Sequence, residues 1–295
     1  MIVVFGSINL DLIFSLPHIP RSGETVLGPS TRIEPGGKGA NQAVAAARDG
    51  ARVAMVGSVG RDALADGALV LLRGAGVDLT RVQAVGANTG CAAISVDPSG
   101  ENAIAVGSGA NLSTHADQAE DALLGPDTTL VLQMEVPAEA SAALIRRARV
   151  AGSRVVLNLA PASALPEDAL RAVDVLVVNE TEGGWLAADL RCGASAVELS
   201  DRLGGLSVVL TRGSEGADIA SRDGAWHEPA VAIQPVDTTA AGDCFVGVLA
   251  HRLDLGASLQ AAVRRATAAA ALCCMRPGSQ GSIPTVAETD AFVAG

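Results

Sequence analysis

Asp237-Thr-Thr-Ala-Ala-Gly-Asp243, continued by Cys244-Phe-Val-Gly-Val-Leu-Ala250, reads as a loop that runs into a helix. Phe245, Val248 and Leu249 recur at helical spacing, and Ala240, Ala241 and Gly242 put small residues at the helix start. A helix start carries unpaired backbone N–H groups and the positive end of the dipole. Small side chains there let an anion approach those groups closely. Asp243 sets a carboxylate at the same point. Donors for a transferred phosphoryl group beside a general base are the parts a phosphotransferase needs. An ordinary helix N-terminus with a capping acid would read the same way.

Toward the N-terminus, Ile2 to Phe5 reads as a short buried strand ending at Gly6, and not as a signal peptide, because a basic segment is missing. In Ser7-Ile-Asn9-Leu-Asp11, Asn9 and Asp11 alternate with Ile8, Leu10 and Leu12, so both face one side of an extended segment. Polar groups just past the carboxyl end of a parallel strand stand where α/β sheets bind ligands. A strand with one solvated edge would show the same alternation. Residues 12–35 carry turn signals at Pro17, Pro20, Gly23 and Pro29 and read as a β excursion. Pro35-Gly-Gly-Lys-Gly-Ala-Asn-Gln42 then opens a helix with Ala40, Ala43, Val44 and Ala47 on one face. Its glycines admit a ligand close to the backbone. It is not a P-loop, since no Ser or Thr follows Lys38.

Arg52 to Val59 reads as a second core strand, followed by a helix from Gly60-Arg-Asp62 to about Arg73, which Gly74-Ala-Gly76 ends. Val82 to Val106 contains alternating strands, Cys91 to Asp97 and Asn102 to Val106, joined by the turn signal Pro98-Ser-Gly100. With residues 12–35 these predict a small sheet projecting from the main domain. From Leu130 on, strands and helices alternate: a strand to Met134 with Glu135 behind it, helix 138–150, strand Val155 to Leu157, helix 167–172 and strand Val175 to Val178. That order predicts an α/β fold with a mainly parallel central sheet flanked by helices. Asn179-Glu-Thr-Glu182 follows a strand end, where an N-capping Asn with a first-turn Glu is the plain reading. Leu206 to Leu210 is a further strand ahead of Thr211-Arg-Gly-Ser-Glu-Gly216, and residues 217–235 read as a β-hairpin. Ser258 begins the last long helix, which leads into Arg276-Pro-Gly-Ser-Gln-Gly-Ser282.

With 49% hydrophobic residues in 295, the chain can bury a sizeable core. A net charge of −11 and only 2% aromatics disfavour a nucleic-acid partner. The five cysteines show no zinc spacing and read as free thiols in a reducing cytoplasm. No apolar run reaches the roughly 20 residues of a membrane span.

Two stretches, Gly36-Gly-Lys-Gly-Ala-Asn-Gln-Ala43 and Asp237 to Asp243, resemble the N- and C-terminal signatures of the ribokinase (PfkB) family of sugar and nucleoside kinases. Ala240 stands where many members have Gly. The likeness runs from Ile2 to Pro284 and implies one kinase domain over 1–295. Residues of about 10–35 and 86–108 would form a discontinuous β lid that also makes a homodimer contact. It further implies an ATP-dependent kinase acting on the 5-hydroxyl of D-ribose. Asp243 would be the base, and the amides of Ala240, Ala241 and Gly242 the anion hole. Asn9, Asp11, Gly37, Lys38, Asn41 and Glu135 would hold the sugar, with Asp11 on adjacent hydroxyls. Gly109-Ala-Asn111 is similar to a family segment near the active site. Asn179 and Glu182 would serve hydrated Mg²⁺ and the phosphates, and Thr211, Gly213, Gly216 and Thr267 the nucleotide. Thr267 takes the place of an Asn found in many members. Asp237, Thr239, Arg276, Gly278 and Ser282 would bind a monovalent cation, K⁺. Deoxyribose, fructose or a nucleoside is the alternative substrate, and the polar set with few aromatics favours a bare sugar. A catalytically silent sugar sensor would be expected to lose Asp243 or Gly242, and both are present.

Overall fold

The structure is a computed structural model describing residues 1–294. The strands are β1 (Ile2–Phe5), β2 (Asn9–Ser15) and β3 (Ser30–Gly36), followed by helix α1 (Lys38–Arg48). Then come β4 (Val53–Gly60), α2 (Leu64–Gly74), β5 (Asp78–Val85), β6 (Gly90–Val96), β7 (Asn102–Gly107) and β8 (Thr129–Leu132). An alternating run follows: α3 (Ala138–Ala151), β9 (Arg154–Asn158), α4 (Glu167–Arg171), β10 (Val175–Asn179), α5 (Glu180–Leu190), α6 (Ala196–Arg202) and β11 (Ser207–Thr211). The chain closes with β12 (Ala217–Ser221), β13 (Gly224–Glu228), α7 (Ala241–Asp254), α8 (Leu259–Cys274) and α9 (Val286–Ala294).

The large sheet has the order β13-β12-β11-β10-β9-β8-β1-β4-β5. It is parallel from β5 to β11, and β12 and β13 extend it antiparallel at one edge. Strands covered on both faces should read as continuous aliphatic runs, and Ile2-Val-Val-Phe5 does so with every residue buried. Successive side chains serve opposite faces. Ile2 and Val4 join a core with residues of α1, α2, α7 and α8, while Val3 and Phe5 join a second core with residues of α3, α5 and α6. The chain leaves β1 for β4 on one side and later returns to β8 on the other. The gap beyond the carboxyl ends of β1 and β8 is therefore a topological switch point, where open α/β sheets bind ligands.

The second sheet runs β3-β2-β6-β7. It is mixed, since β2 and β6 pair in parallel and the outer pairs are antiparallel. Val82 lies in β5, which belongs to the large sheet and pairs with β4, so only β6 and β7 of the expected run join the small sheet. The hairpin expected over 217–235 ends at Glu228, and 229–235 is coil. Helix α2 begins at Leu64, because the Asp62 carboxylate accepts the amides of Leu64 and Ala65 at 3.1 and 3.2 Å.

A buried ionic cluster locks three helices under the site. Asp49, just past α1, accepts His251 Nδ1 at 2.7 Å and Arg252 Nη2 at 2.6 Å from α7, with Arg265 of α8 at 3.5 Å. Burial works against this anion, but the bonds from His251 and Arg252 outweigh it and hold the carboxyl below its ordinary range.

Candidate active site

Helix α7 begins at the carboxyl end of the large sheet, where α1 meets it. Ala240, its N-cap, is left-handed at φ 60° and ψ 5°. That conformation costs a residue with a Cβ about 1 kcal/mol or more, and it turns the chain abruptly into the helix. The amide of Ala241 donates to the Thr238 carbonyl at 3.3 Å, whereas those of Ala240, Gly242 and Asp243 find no backbone acceptor among the described residues. The expected anion hole is thus narrower at Ala241 and extends to Asp243. Asp243 is 7% exposed. One carboxylate oxygen accepts Asn41 Nδ2 at 2.9 Å and the other accepts Gln42 Nε2 at 2.9 Å. Gln42 also donates to Asn158 at 3.1 Å and accepts from Gln133 at 2.6 Å, so a buried amide chain holds the carboxylate in one orientation.

The glycine turn before α1 supplies the opposite wall. A Cβ at Gly36 would stand 2.0 Å from an Asp11 oxygen, and Gly37, at φ 89°, would bring one within 2.8 Å of the Asn9 amide. Only glycine lets the turn lie against β2 so closely. Lys38, the first residue of α1, is raised by the charge of Asp243, against which burial works, with Glu135 and Glu182 adding to the rise. Glu135, beyond β8, accepts the Ser7 hydroxyl at 2.5 Å and the Lys38 amide at 3.0 Å. Asn111 holds Asn9 in place, donating to its side-chain oxygen at 2.7 Å and accepting the Ile8 amide at 2.9 Å.

Asp11 is the most perturbed acid here. Burial first, then the charges of Glu135, Glu34 and Asp243, push its carboxyl up to about 7. Its Oδ1 and the Oδ1 of Asn41 are buried without a hydrogen-bond partner. Orphaned buried acceptors are costly, and a polyol could satisfy both with hydroxyl donors.

A cleft of about 430 Å³ opens beside the start of α7 and is mostly apolar. Thr211, Gly213, Gly216 and Thr267 all line it, together with Gly242 and Val231. The structure therefore brings the expected nucleotide residues together next to the free amides. Asn179 and Glu182 bond to each other at 2.8 Å in both directions as the capping box of α5. Glu182 nonetheless lies close enough for the Lys38 and Asp243 charges to act on it.

Asp237, Thr239 and Gly278 also meet: Asp237 accepts the Thr239 amide at 2.9 Å and the Gly278 amide at 3.0 Å. Ser282 turns back to the Ser279 carbonyl at 2.7 Å and to Cys273 at 3.0 Å. The Arg276 side chain leaves the group for Glu288 at 2.7 Å, so of that residue only the backbone is left to serve an ion. Sequence reading passed over Gln42, Gln133, Asn158 and Ser7. A Gln in the first turn of an otherwise Ala-rich helix was the available signal for the first of them.

The sequence pattern of the pfkB family of carbohydrate kinases matches residues 1–286. A ribokinase of Haemophilus influenzae is 36% identical, over 99% of this chain and 98% of the relative. A deoxyribokinase of Salmonella typhi is 34% identical, over 99% of this chain and 98% of the relative. Among solved structures, Thermotoga maritima ribokinase superposes with a TM-score of 0.91 at 32% identity, covering 100% of this chain and 99% of that one. Arabidopsis thaliana ribokinase, complexed with ribose and ATP, gives 0.89 at 29% identity, covering 100% and 98%. Coverage of this extent, with both signatures at the switch point of a ribokinase-like fold, places the chain in the pfkB family of carbohydrate kinases.

Proposed function

We propose that this chain transfers the γ-phosphoryl group of ATP to the primary 5-hydroxyl of D-ribose, giving ribose 5-phosphate and ADP. The observation that carries the reading is the Asp243 carboxylate, fixed by Asn41 and Gln42 between the orphaned acceptors of Asp11 and Asn41 and the free amides of α7. Asp11, Asn9, Gly37, Lys38, Asn41 and Glu135 hold the sugar. Asp243 takes the proton of its 5-hydroxyl as the oxygen attacks. The amides of Ala240, Gly242 and Asp243, which have no backbone acceptor among the described residues, receive the charge that develops on the phosphoryl group. Deoxyribose is the second reading, favoured by the Salmonella relative. Buried acceptors built for hydroxyls discriminate strongly against an analogue that lacks one, which supports ribose. ADP release measured over ribose, deoxyribose, fructose and nucleosides tests the assignment, and a higher kcat/KM for any of the others overturns it.

Among the described residues no cluster of three or more His, Cys, Asp or Glu side chains could ligate a metal. Mg²⁺, which keeps several waters, would be held by the nucleotide phosphates, with Asn179 and Glu182 binding those waters. It neutralises phosphate charge when bound. The segment around Asp237 fits K⁺. Burial works against the Asp237 anion, but the bonds from Thr239 and Gly278, with Arg32 nearby, hold its carboxyl below the ordinary range. Each carboxylate oxygen spends one acceptor position and keeps another. Thr239, Gly278, Ser282 and the Arg276 carbonyl complete an oxygen donor set. Replacing K⁺ by a large organic cation at constant ionic strength is expected to lower the phosphorylation rate several-fold, about as far as Asp237→Ala does in K⁺. Equal rates in the two salts would refute the site.

Residues 1–295 are read as one kinase domain, the small sheet (about 10–35 and 86–108) serving as a lid over the sugar. Ile33, Ile104 and Val106 are exposed on that sheet, which supports a homodimer through it. Among the described residues no helix is long and apolar enough to cross a membrane, and the cysteines are free thiols. The free thiols support a cytoplasmic location.

Asp11 makes sugar binding pH-dependent. Its carboxyl sits at about 7 in the free protein, above the ordinary 3.8. The sugar hydroxyls donate to the anion, so binding competes with the proton. Below pH 7 the KM for ribose is expected to rise about tenfold per unit, while the KM for ATP stays flat. The same shift makes Asp11 a cost to folding that grows as pH rises from about 4 to 7 and is fully present above it. A ribose KM that is flat from pH 5.5 to 8 in steady-state kinetics would remove Asp11 from the sugar site.

A further inference from the structure

Loop 276–282 touches two parts of the site at once. On one side the Gly278 amide donates to Asp237, which in turn accepts the Thr239 amide and so fixes the segment entering Ala240. On the other side the Ser279 amide donates to Glu34 Oε2 at 3.1 Å and the Ser279 hydroxyl to the Pro35 carbonyl at 2.8 Å. Gln280 Nε2 reaches the Gly36 carbonyl at 3.4 Å. Glu34, Pro35 and Gly36 end β3, and Gly36 is the seat of the Asp11 carboxylate. Ser279 is 2% exposed and Gln280 fully buried. Arg48 closes the loop from α1 through the Gln280 and Ile283 carbonyls, at 2.8 and 2.6 Å. Hydrogen bonds and the short backbone segments between them thus connect the floor under Asp11 to the free amides of α7.

We propose that Glu34 is a positioning residue that couples occupancy of the sugar pocket to alignment of the phosphoryl-binding turn, through Ser279, Gly278 and Asp237. The inference rests on the sugar-kinase reading above. A sugar bonded to Asp11 orders Gly36 and the end of β3. With β3 held, the acceptors of Glu34 and Pro35 hold Ser279, and the neighbouring Gly278 amide holds Asp237. The nucleotide then meets a turn already in place. Linkage makes the effect reciprocal, so bound nucleotide tightens the sugar by the same factor.

Glu34 also carries a charge toward Asp11. Glu135, Asp243 and Cys91 are the other titratable groups near that carboxylate, and Arg32 pairs with Glu34 at 3.4 Å. The bonded and electrostatic roles separate in Glu34→Gln, which keeps an oxygen acceptor for the Ser279 amide and removes the charge.

The test is calorimetric titration of the full chain with a non-hydrolysable ATP analogue, with and without saturating ribose. Ribose is expected to tighten the analogue by about 5–150-fold in the wild type, and this factor should fall to about onefold in Glu34→Ala. Glu34→Gln should keep the factor while moving the pH midpoint of the ribose KM downward. A purely structural tie would change thermal stability equally with and without sugar and leave the factor intact. If Glu34→Ala does not fold, Ser279→Ala, which deletes the bond to Pro35, replaces it and should reduce the factor. A wild type that binds ribose without tightening the analogue overturns the proposal. So does an unchanged factor in the Ala variants, or its loss in Glu34→Gln. A wild type that binds no ribose refutes the substrate assignment first, and the coupling with it.

Discussion

Asp243→Asn is expected to lower kcat by about 10²–10⁴ while leaving the fold and the ribose KM close to wild type. The substitution keeps the shape of a side chain that is 7% exposed and removes only its capacity to take a proton. Asn41 and Gln42 would still meet an oxygen on one side. Lys38 would lose the charge that raises it most, and its raised ionisation should relax downward. Single-turnover phosphorylation rates, measured beside a thermal melt, separate chemistry from folding. A folded variant that turns over at near the wild-type rate would show that another group takes the proton.

The largest expected loss of stability is at Asp49, well away from the substrate. Asp49→Ala strands His251, Arg252 and Arg265 around a vacated buried anion. Removing one partner of a buried ionic group costs roughly 3–5 kcal/mol. That corresponds to a melting temperature lower by on the order of 10 °C. Because the cluster ties α1, α7 and α8 together below the site, kcat measured well under the melting transition should change far less than stability does. Calorimetry of the purified variant checks this. A melt within about 1 °C of wild type would mean that the two arginines find water or other acceptors at no cost.

Most of the frame is readable because its causes are local. The aliphatic run Ile2 to Phe5, the glycine turn at 36–39 and the small residues before Asp243 each announce a strand, a close approach and a helix start without reference to the rest of the chain. What escaped depends on distant partners. In α5, Gly183 is where the helix lies against β11, and a Cβ there would come 2.9 Å from Leu210. Strand β5 is half exposed and alternating, like a strand of the small sheet, and only its pairing with β4 assigns it to the large one. The orientation of Arg276 is decided by Glu288, twelve positions on. Gln42 and Asn158 are unmarked polar residues in the sequence, and their union behind Asp243 is a product of packing.

The bonds that hold Asp243 also bear on when this protein becomes competent. Its partners Asn41 and Gln42 lie 202 and 201 positions earlier in the chain. Ser7 and Glu135, which meet across the opposite wall, are 128 apart. Contacts of such span are slow to form, because chain closure must precede any reward. A chain emerging from the ribosome can build β1, α1 and β4 early, yet it holds no fixed base until α7 has emerged and docked. Apolar side chains of α1 such as Val44 and Ala45 meanwhile lack the partners that α7 brings to their core, and that intermediate is the one most exposed to aggregation. A sugar or nucleotide that binds only the closed form would draw the last step forward by mass action. Yield on refolding from denaturant should therefore rise when ribose is present from the start.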